Sequence, residues 1–430
     1  MQAGLVEGID ELAREMGIIK RESKITGRSL VQGLVFGFLE DGQASEVKLA
    51  QSVGRAGVSV TSQAVNARLT KQTAQFLQKV LERVAQIVVR PSVKTQSLLD
   101  RFSEVNVNDS SVISLPNALS EMWTGCGNRT EHGQAAIKMQ VQWDLRSGGL
   151  KALTLHNGRD QDRSAPVQTA EVIPNSLRLA DLGYFDLSVF AGIGQGQAYW
   201  LTRYLSGVKL FTPGGTPIDL VQWLARHCTD AGEVDLPVLA GKQHRLSARL
   251  IALRVPQSVA DERRRKLRDN ARGKGQTVSA LSLALAAWSI FLTNVPHDLL
   301  SLAEVLIIAR TRWQIELLFK LWKSSGRIDE SRSRKPYRIL CELFAKMIGQ
   351  IILHWLIIFT CWHFPDRSFT KAAAAIRSCA TLLLAALLGS SYAAFADALD
   401  MIARSVASTC HVCKRSNKLA LFQLLTIDCP

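Results

Sequence analysis

The chain is short of acid. Its 430 residues carry 37 Asp and Glu against 52 Lys and Arg, a formal charge of +15 with a pI near 9.6. A deficit of that size implies a polyanionic partner, most simply nucleic acid, or else an anionic membrane surface. A disulfide framework is also missing. The cysteines, Cys126, Cys228, Cys341, Cys361, Cys379, Cys410, Cys413 and Cys429, are scattered, often inside apolar runs, and no secretory signal precedes them. That usage belongs to a reducing cytoplasm. Cys410 and Cys413 have half the spacing of a zinc site, but no second pair at ligand spacing completes it. Long uncharged runs are lacking too. Met347 to Trp362 holds Gln350 and His354 and falls short of the roughly 18–20 residues a span requires. Thr381 to Ala396 is broken by Gly389-Ser390-Ser391. Both read as buried helices, so no membrane span is expected. No internal repeat is present.

What remains is a globular composition, 47% hydrophobic and 21% charged, long enough for two or three domains with a real core. The positive charge is uneven. Residues 262–338 hold 16 Lys and Arg against 7 Asp and Glu, while residues 1–100 hold 13 against 10. The first hundred residues read as helices: Ile9 to Ile19, two short helices within Val47 to Leu69 around Gly54 and Gly57, and Lys71 to Val89. A helix-turn-helix and a plain helical bundle both fit this pattern. After Pro91, Val105 to Leu115, Ile137 to Leu145 and Leu150 to His156 read as strands, a helix follows around Val167 to Val172, and Leu177 to Ala180 and Ala198 to Tyr204 are short strands. Val208 to Phe211, Val234 to Leu239, Ala248 to Val255 and Trp288 to Thr293 continue the strand pattern. Strands of this kind mixed with helices predict a mixed α/β sheet.

Three features carry chemistry. Leu299 to Lys323 reads as one apolar helix with a narrow charged stripe, Arg312, Glu316, Lys320 and Lys323, on a single face. A lone carboxylate among cations suits metal-assisted phosphoryl transfer on a nucleic acid, while spacing of this kind is also ordinary surface ion pairing. Asp109 lies in "VNVNDSSVISLP", within a strand, and Asp181 in "LRLADLGYFD", just past one. Strand ends of α/β sheets are where ligands bind. Turn or cap duty is the plain alternative for each, and Asp144, Asp160, Asp162 and Asp186 compete. Finally, Arg263, Arg264, Arg265 and Lys266 form a basic run suited to backbone phosphates.

With these residues in place, the chain resembles the DDE transposases of bacterial insertion sequences, and among them the insertion-sequence-four branch with its tyrosine–arginine–glutamate–lysine signature. Arg312, Trp313-Gln314-Ile315, Glu316, then Leu317 to Trp322 and Lys323 match the spacing of its last three members; the tyrosine position is occupied by Ala309. The resemblance implies that Asp109, Asp181 and Glu316 are the catalytic acids, converging to hold two Mg²⁺ (or Mn²⁺) ions. It implies that Arg312 and Lys323 contact the terminal phosphates, where Lys320 of the same stripe would join them, and that Trp288 stacks on a base flipped out near the element's end. Strand packing is the plain alternative for Trp288. It also implies an RNase H-like catalytic domain in two parts (96–205 and 287–362), interrupted by a β-rich basic insertion (206–286). Helical regions flank it, an N-terminal DNA-binding region (1–95) and a C-terminal one (363–430). The expected partners are terminal inverted repeats and target DNA, met by a homodimer, in the cytoplasm on the nucleoid. Cut-and-paste strand transfer is the implied reaction. The alternatives are a DNA-binding relic, with Ala309 as the mark of decay, and a general RNase H-like nuclease.

Overall fold

The computed structural model describes residues 1–19, 24–89, 98–126, 135–362, 364, 366–389 and 391–412. Cys413 and Cys429 lie outside them. The helices are α1 (Gln2–Leu5), α2 (Ile9–Glu15), α3 (Gly27–Glu40), α4 (Glu46–Arg55), α5 (Ser62–Ala67), α6 (Lys71–Ala85), α7 (Leu187–Gln195), α8 (Leu220–His227), α9 (Gln257–Gly273), α10 (Ala280–Leu285), α11 (Leu302–Thr311), α12 (Gln314–Ser324), α13 (Pro336–Cys361), α14 (Phe369–Ser378), α15 (Ala380–Leu388) and α16 (Tyr392–Thr409). The strands are β1 (Val105–Ser114), β2 (Ala136–Asp144), β3 (Leu150–Asn157), β4 (Leu177–Ala180), β5 (Tyr199–Arg203), β6 (Leu210–Phe211), β7 (Glu233–Ala240), β8 (Leu246–Arg254) and β9 (Trp288–Thr293). They form one mixed sheet in the order β3-β2-β1-β4-β5-β9-β8-β7-β6. β1, β4 and β5 run parallel, whereas β9, β8, β7 and β6 continue from β5 antiparallel.

The chain divides into two compact units. The first comprises the described residues within Met1–Gln96, Asp109–Asp160 and Trp313–Ile427; the second comprises those within Ser97–Asn108 and Gln161–Arg312.

The first unit is built on α13. Its 26 residues begin at Pro336, where a missing N–H costs nothing. It is long and apolar enough to cross a membrane, yet 94% of its most apolar stretch is buried inside the fold. α3, α6, α14 and α16 pack around it. Glu342, Lys346, Gln350 and His354 recur every fourth residue, so they share one face, and all are buried. Three of them tie down neighbouring chain. Glu342 accepts from Ser331 Oγ at 2.7 Å, Lys346 Nζ donates to the Glu330 carbonyl at 2.7 Å, and His354 Nε2 donates to the Gly148 carbonyl at 2.8 Å. Burial pushes the His354 imidazole down to about 4 despite that bond. β2 alternates Ile137, Met139, Val141 and Trp143 with Lys138, Gln140, Gln142 and Asp144, and both faces are buried. Lys138 is satisfied there by the Asp160 carbonyl.

The second unit has its core on one face of β4, β5, β7, β8 and β9, where Trp200 stacks on Phe190 of α7 at 4.7 Å.

The structure departs from the sequence reading in three places. The span around 167–172 is a short 3-10 turn, Pro166–Thr169, not a helix. Residues 206–286 hold more helix, in α8, α9 and α10, than strand, in β6, β7 and β8. The run from Leu299 to Lys323 is two helices, broken at Arg312 and Trp313. At the break the buried Thr311 hydroxyl donates to the Ile308 carbonyl at 2.6 Å, a back-bond of the kind that bends helices.

Candidate active site

In the first unit, Asp109 sits in the middle of β1, half-buried, with Oδ1 accepting the Ser110 N–H at 2.8 Å. Glu316 stands in the first turn of α12, exposed, beside the positive end of that helix dipole. The greasy side of α12 (Ile315, Leu318, Phe319, Trp322) is buried, which turns Glu316 and Lys320 outward. Lys323 reaches back to β1, where its Nζ donates to the Val112 carbonyl at 3.0 Å. The helix carrying Glu316 is thereby tied to the strand carrying Asp109.

In the second unit, Asp181 follows β4 directly. It occupies the N-cap position of the 3-10 turn Leu182–Tyr184 but makes no capping hydrogen bond. Its side chain is 38% exposed, and Oδ1 lies 3.8 Å from Arg312 Nη1. β1 and β4 pair in register as far as Val107 and Leu179. Asp109 and Asp181 each come two residues later in the chain.

Three of the four competing acids hold local structure. Asp144 holds the β2–β3 turn through the Arg146 and Ser147 N–H groups, and Asp160 accepts the Asn157 N–H. Asp186 caps α7. Burial works against its ionisation, but bonds from Ser188 and Arg163 outweigh that and hold it at about 2.

Among the described residues no three of His, Cys, Asp and Glu stand close enough together to hold a metal ion. The three acids of the sequence reading offer the hard oxygen donors such an ion takes, but they are divided: Asp109 and Glu316 belong to the first unit, Asp181 to the second.

The basic run lies on α9 and splits by helical face. Arg263 turns inward and donates to the Trp288 carbonyl at 2.9 Å and to Ser289 Oγ at 3.0 Å. Arg264 donates to the Leu283 carbonyl at 3.1 Å and pairs with Asp261. Arg265 and Lys266 stay exposed, both leaning on Glu262. Trp288 opens β9, half-buried, at the wall of a cavity of about 430 Å³. Ala309 and Arg312 line a smaller void of about 20 Å³, room for about one water and far too little for the ring of a tyrosine.

Sequence reasoning missed Arg203, exposed at the end of β5 and lining both cavities. The rule that picked Asp181, a polar residue at the carboxyl end of a parallel strand, applies equally to Arg203.

A family model described as the transposase DDE domain matches residues 100–349. The chain belongs to that family. This transposase is 25% identical over 364 residues to the transposase of insertion sequence element IS231F from Bacillus thuringiensis subsp. israelensis, covering 80% of this chain and 76% of the relative. It is 22% identical over 383 residues to the transposase of IS1151 from Clostridium perfringens, covering 83% and 78%. It is 28% identical over 244 residues to a putative transposase, InsL, of IS186A from Escherichia coli K12, covering 55% and 65%. A piggyBac transposase synaptic complex with hairpin DNA shares 11% identity, with a TM-score of 0.45 over 93% of this chain and 84% of that one. The protein is a DDE transposase, an enzyme acting on DNA phosphodiesters, and its family implies dependence on a divalent metal.

Proposed function

We propose that this transposase cuts DNA at the ends of an insertion sequence and joins the freed 3′ hydroxyl to target DNA, with Asp109, Asp181 and Glu316 as its catalytic acids. The observation that supports this best is the Lys323–Val112 bond, which fastens the acid-bearing helix α12 to the acid-bearing strand β1 inside one unit. The acids would take Mg²⁺ or Mn²⁺, two per site. Such ions activate the attacking oxygen and stabilise the leaving one. The protein's own residues do the holding. Arg312 offers a fork to a terminal phosphate, and Lys320 and Lys323 offer point charges. Lys323 keeps two of its three donors for this while one holds Val112. Trp288 stacks on an extruded base, which replaces the stacking the base has lost. Arg265 and Lys266 grip backbone phosphate.

In this reading residues 1–95 bind DNA, 96–205 and 287–362 form the catalytic core around the insertion 206–286, and 363–430 form a helical C-terminal region. The partners are terminal inverted repeats and target DNA, bound as a homodimer on the nucleoid in the cytoplasm, with no membrane involved.

The experiment incubates purified protein with a labelled duplex carrying the terminal repeat, with Mg²⁺, with Mn²⁺ and without metal. A nick at the repeat's end that needs metal, and that Asp109→Asn, Asp181→Asn and Glu316→Gln each abolish without loss of binding, is the expected result. Binding without any nick would favour a DNA-binding relic. Nicking indifferent to the terminal sequence would favour a general nuclease.

A further inference from the structure

The cavity beside Trp288 lies wholly within the second unit and is walled by β9, the end of β5, α9 and α10. Its volume of about 430 Å³ falls among small-ligand pockets, about 300–1,000 Å³. Arg203, Arg263 and Lys266 line it together with Tyr204, Asn270 and Trp288, and no Asp or Glu is among the described residues that line it. A cationic pocket with an aromatic wall and no internal counter-charge suits a nucleotide, whose base stacks and whose phosphate supplies the missing charge.

Within this pocket Lys266 leans on Glu262, and Arg263 is committed to the main chain. Arg263 donates to the Trp288 carbonyl at 2.9 Å, to Ser289 Oγ at 3.0 Å and, more weakly, to the Ala286 carbonyl at 3.5 Å. These acceptors bracket the point where the chain leaves α10 and enters β9. On α9, the helix of Arg263, Ala260 is fully buried. A planar guanidinium bonded to both sides of one residue restricts where that residue's side chain projects. Burial and the neighbouring Arg203 lower the Arg263 pKa. By contrast Arg265, on the same helix, is 68% exposed.

We propose that Arg263 is a positioning residue: it pins the main chain at Trp288 so that the indole faces the pocket that receives the extruded base. This assigns Arg263 a different task from phosphate gripping, and it rests on the stacking role of Trp288 given above. The two tasks separate in a double-mutant cycle. A residue acting through Trp288 has nothing left to do once the indole is gone, whereas a phosphate contact acts regardless.

The test uses the full-length protein and a terminal-repeat duplex bearing the fluorescent base 2-aminopurine at each terminal position in turn. Trp288→Ala, Arg263→Ala, Arg263→Lys, the Trp288→Ala/Arg263→Ala double variant and Arg265→Ala are compared. Arg263→Ala is expected to lose the fluorescence rise of base extrusion and to slow end processing by the same factor as Trp288→Ala. In the double variant it should add no further loss, and the salt dependence of binding should keep its slope. Arg263→Lys, which keeps a donating ammonium but loses the planar fork, should restore part of the signal, and it serves as the test variant if Arg263→Ala fails to fold. Equal losses from Arg263→Ala with and without the indole, together with a shallower salt slope, would overturn the proposal and make Arg263 a phosphate contact. A Trp288→Ala protein that extrudes and processes normally would remove the stacking role, and the positioning role with it. Loss of metal-dependent nicking in the unmodified protein would instead strike the catalytic reading alone.

Discussion

Asp181 Oδ1 stands 3.8 Å from Arg312 Nη1, with the two side chains 38% and 20% exposed. A carboxylate at the end of a strand thus faces a guanidinium instead of capping the turn that follows it. The ion pair is partly screened, yet it bears on the proposed metal site because a fixed cation and a divalent ion compete for the same oxygen. Arg312→Gln should bind Mn²⁺ about two- to tenfold more tightly than the unmodified protein while nicking more slowly. Mn²⁺ titration followed by electron paramagnetic resonance measures the first effect. Unchanged or weaker binding would mean that Arg312 does not oppose metal at Asp181.

The exposed half of the basic run should carry the DNA. Arg265→Ala/Lys266→Ala should reduce the slope of log affinity against log salt by about 1.8, two phosphates at about 0.9 each. Glu262 shares charge with both residues, so a smaller reduction is the lower bound of the same effect. An unaltered slope in fluorescence anisotropy would place the DNA on another surface.

Gly148 holds the β2–β3 turn at a φ of +75°, and a Cβ there would lie 2.6 Å from the Trp362 ring. Its carbonyl accepts from both Trp143 Nε1, at 2.7 Å, and His354 Nε2. Gly148→Ala combines left-handed strain with overpacking and should destabilise the protein by about 2–4 kcal/mol. Denaturant unfolding measures this, and a midpoint shift worth under about 0.5 kcal/mol would mean that the turn yields easily.

His354 gives the first unit an acid sensitivity. Its folded pKa, about 4, lies below the ordinary 6.5 because burial disfavours the charged ring. The unfolded chain therefore binds the proton first. The stabilisation is complete above pH 6.5 and drains away as pH falls from there towards 4, to a total of about 3 kcal/mol. Unfolding free energies at steps between these pH values should fall for the unmodified protein and change less for His354→Gln. Parallel curves for the two would assign the acid sensitivity to other groups.

Much of this was readable from residue patterns. β1 to β5 and β7 to β9 announce themselves through β-branched and alternating residues, and Asp181 through its place after a short buried strand. Other features depend on contacts that no pattern encodes. At the break between α11 and α12 the Thr311 hydroxyl bonds the Ile308 carbonyl, a contact no pattern announces. The alternating polar face of β2 looks solvated until Lys138 is seen bonded to the Asp160 carbonyl. Four adjacent cations on α9 look equivalent in sequence, yet helical geometry sends Arg263 inward and Arg265 outward. That Asp144, Asp160 and Asp186 hold turns and a helix cap is visible only in the fold.

The conserved-domain match stops at residue 349, in the middle of α13. An expression clone trimmed to that limit would sever the helix one residue before Gln350 and discard the half bearing His354 and the tail helices that sheath it. The greasy flanks of α3 and α6 would then face water. Such a fragment should precipitate or be captured by chaperones, so a minimal soluble enzyme has to retain α13 through Cys361 together with α14 and α16.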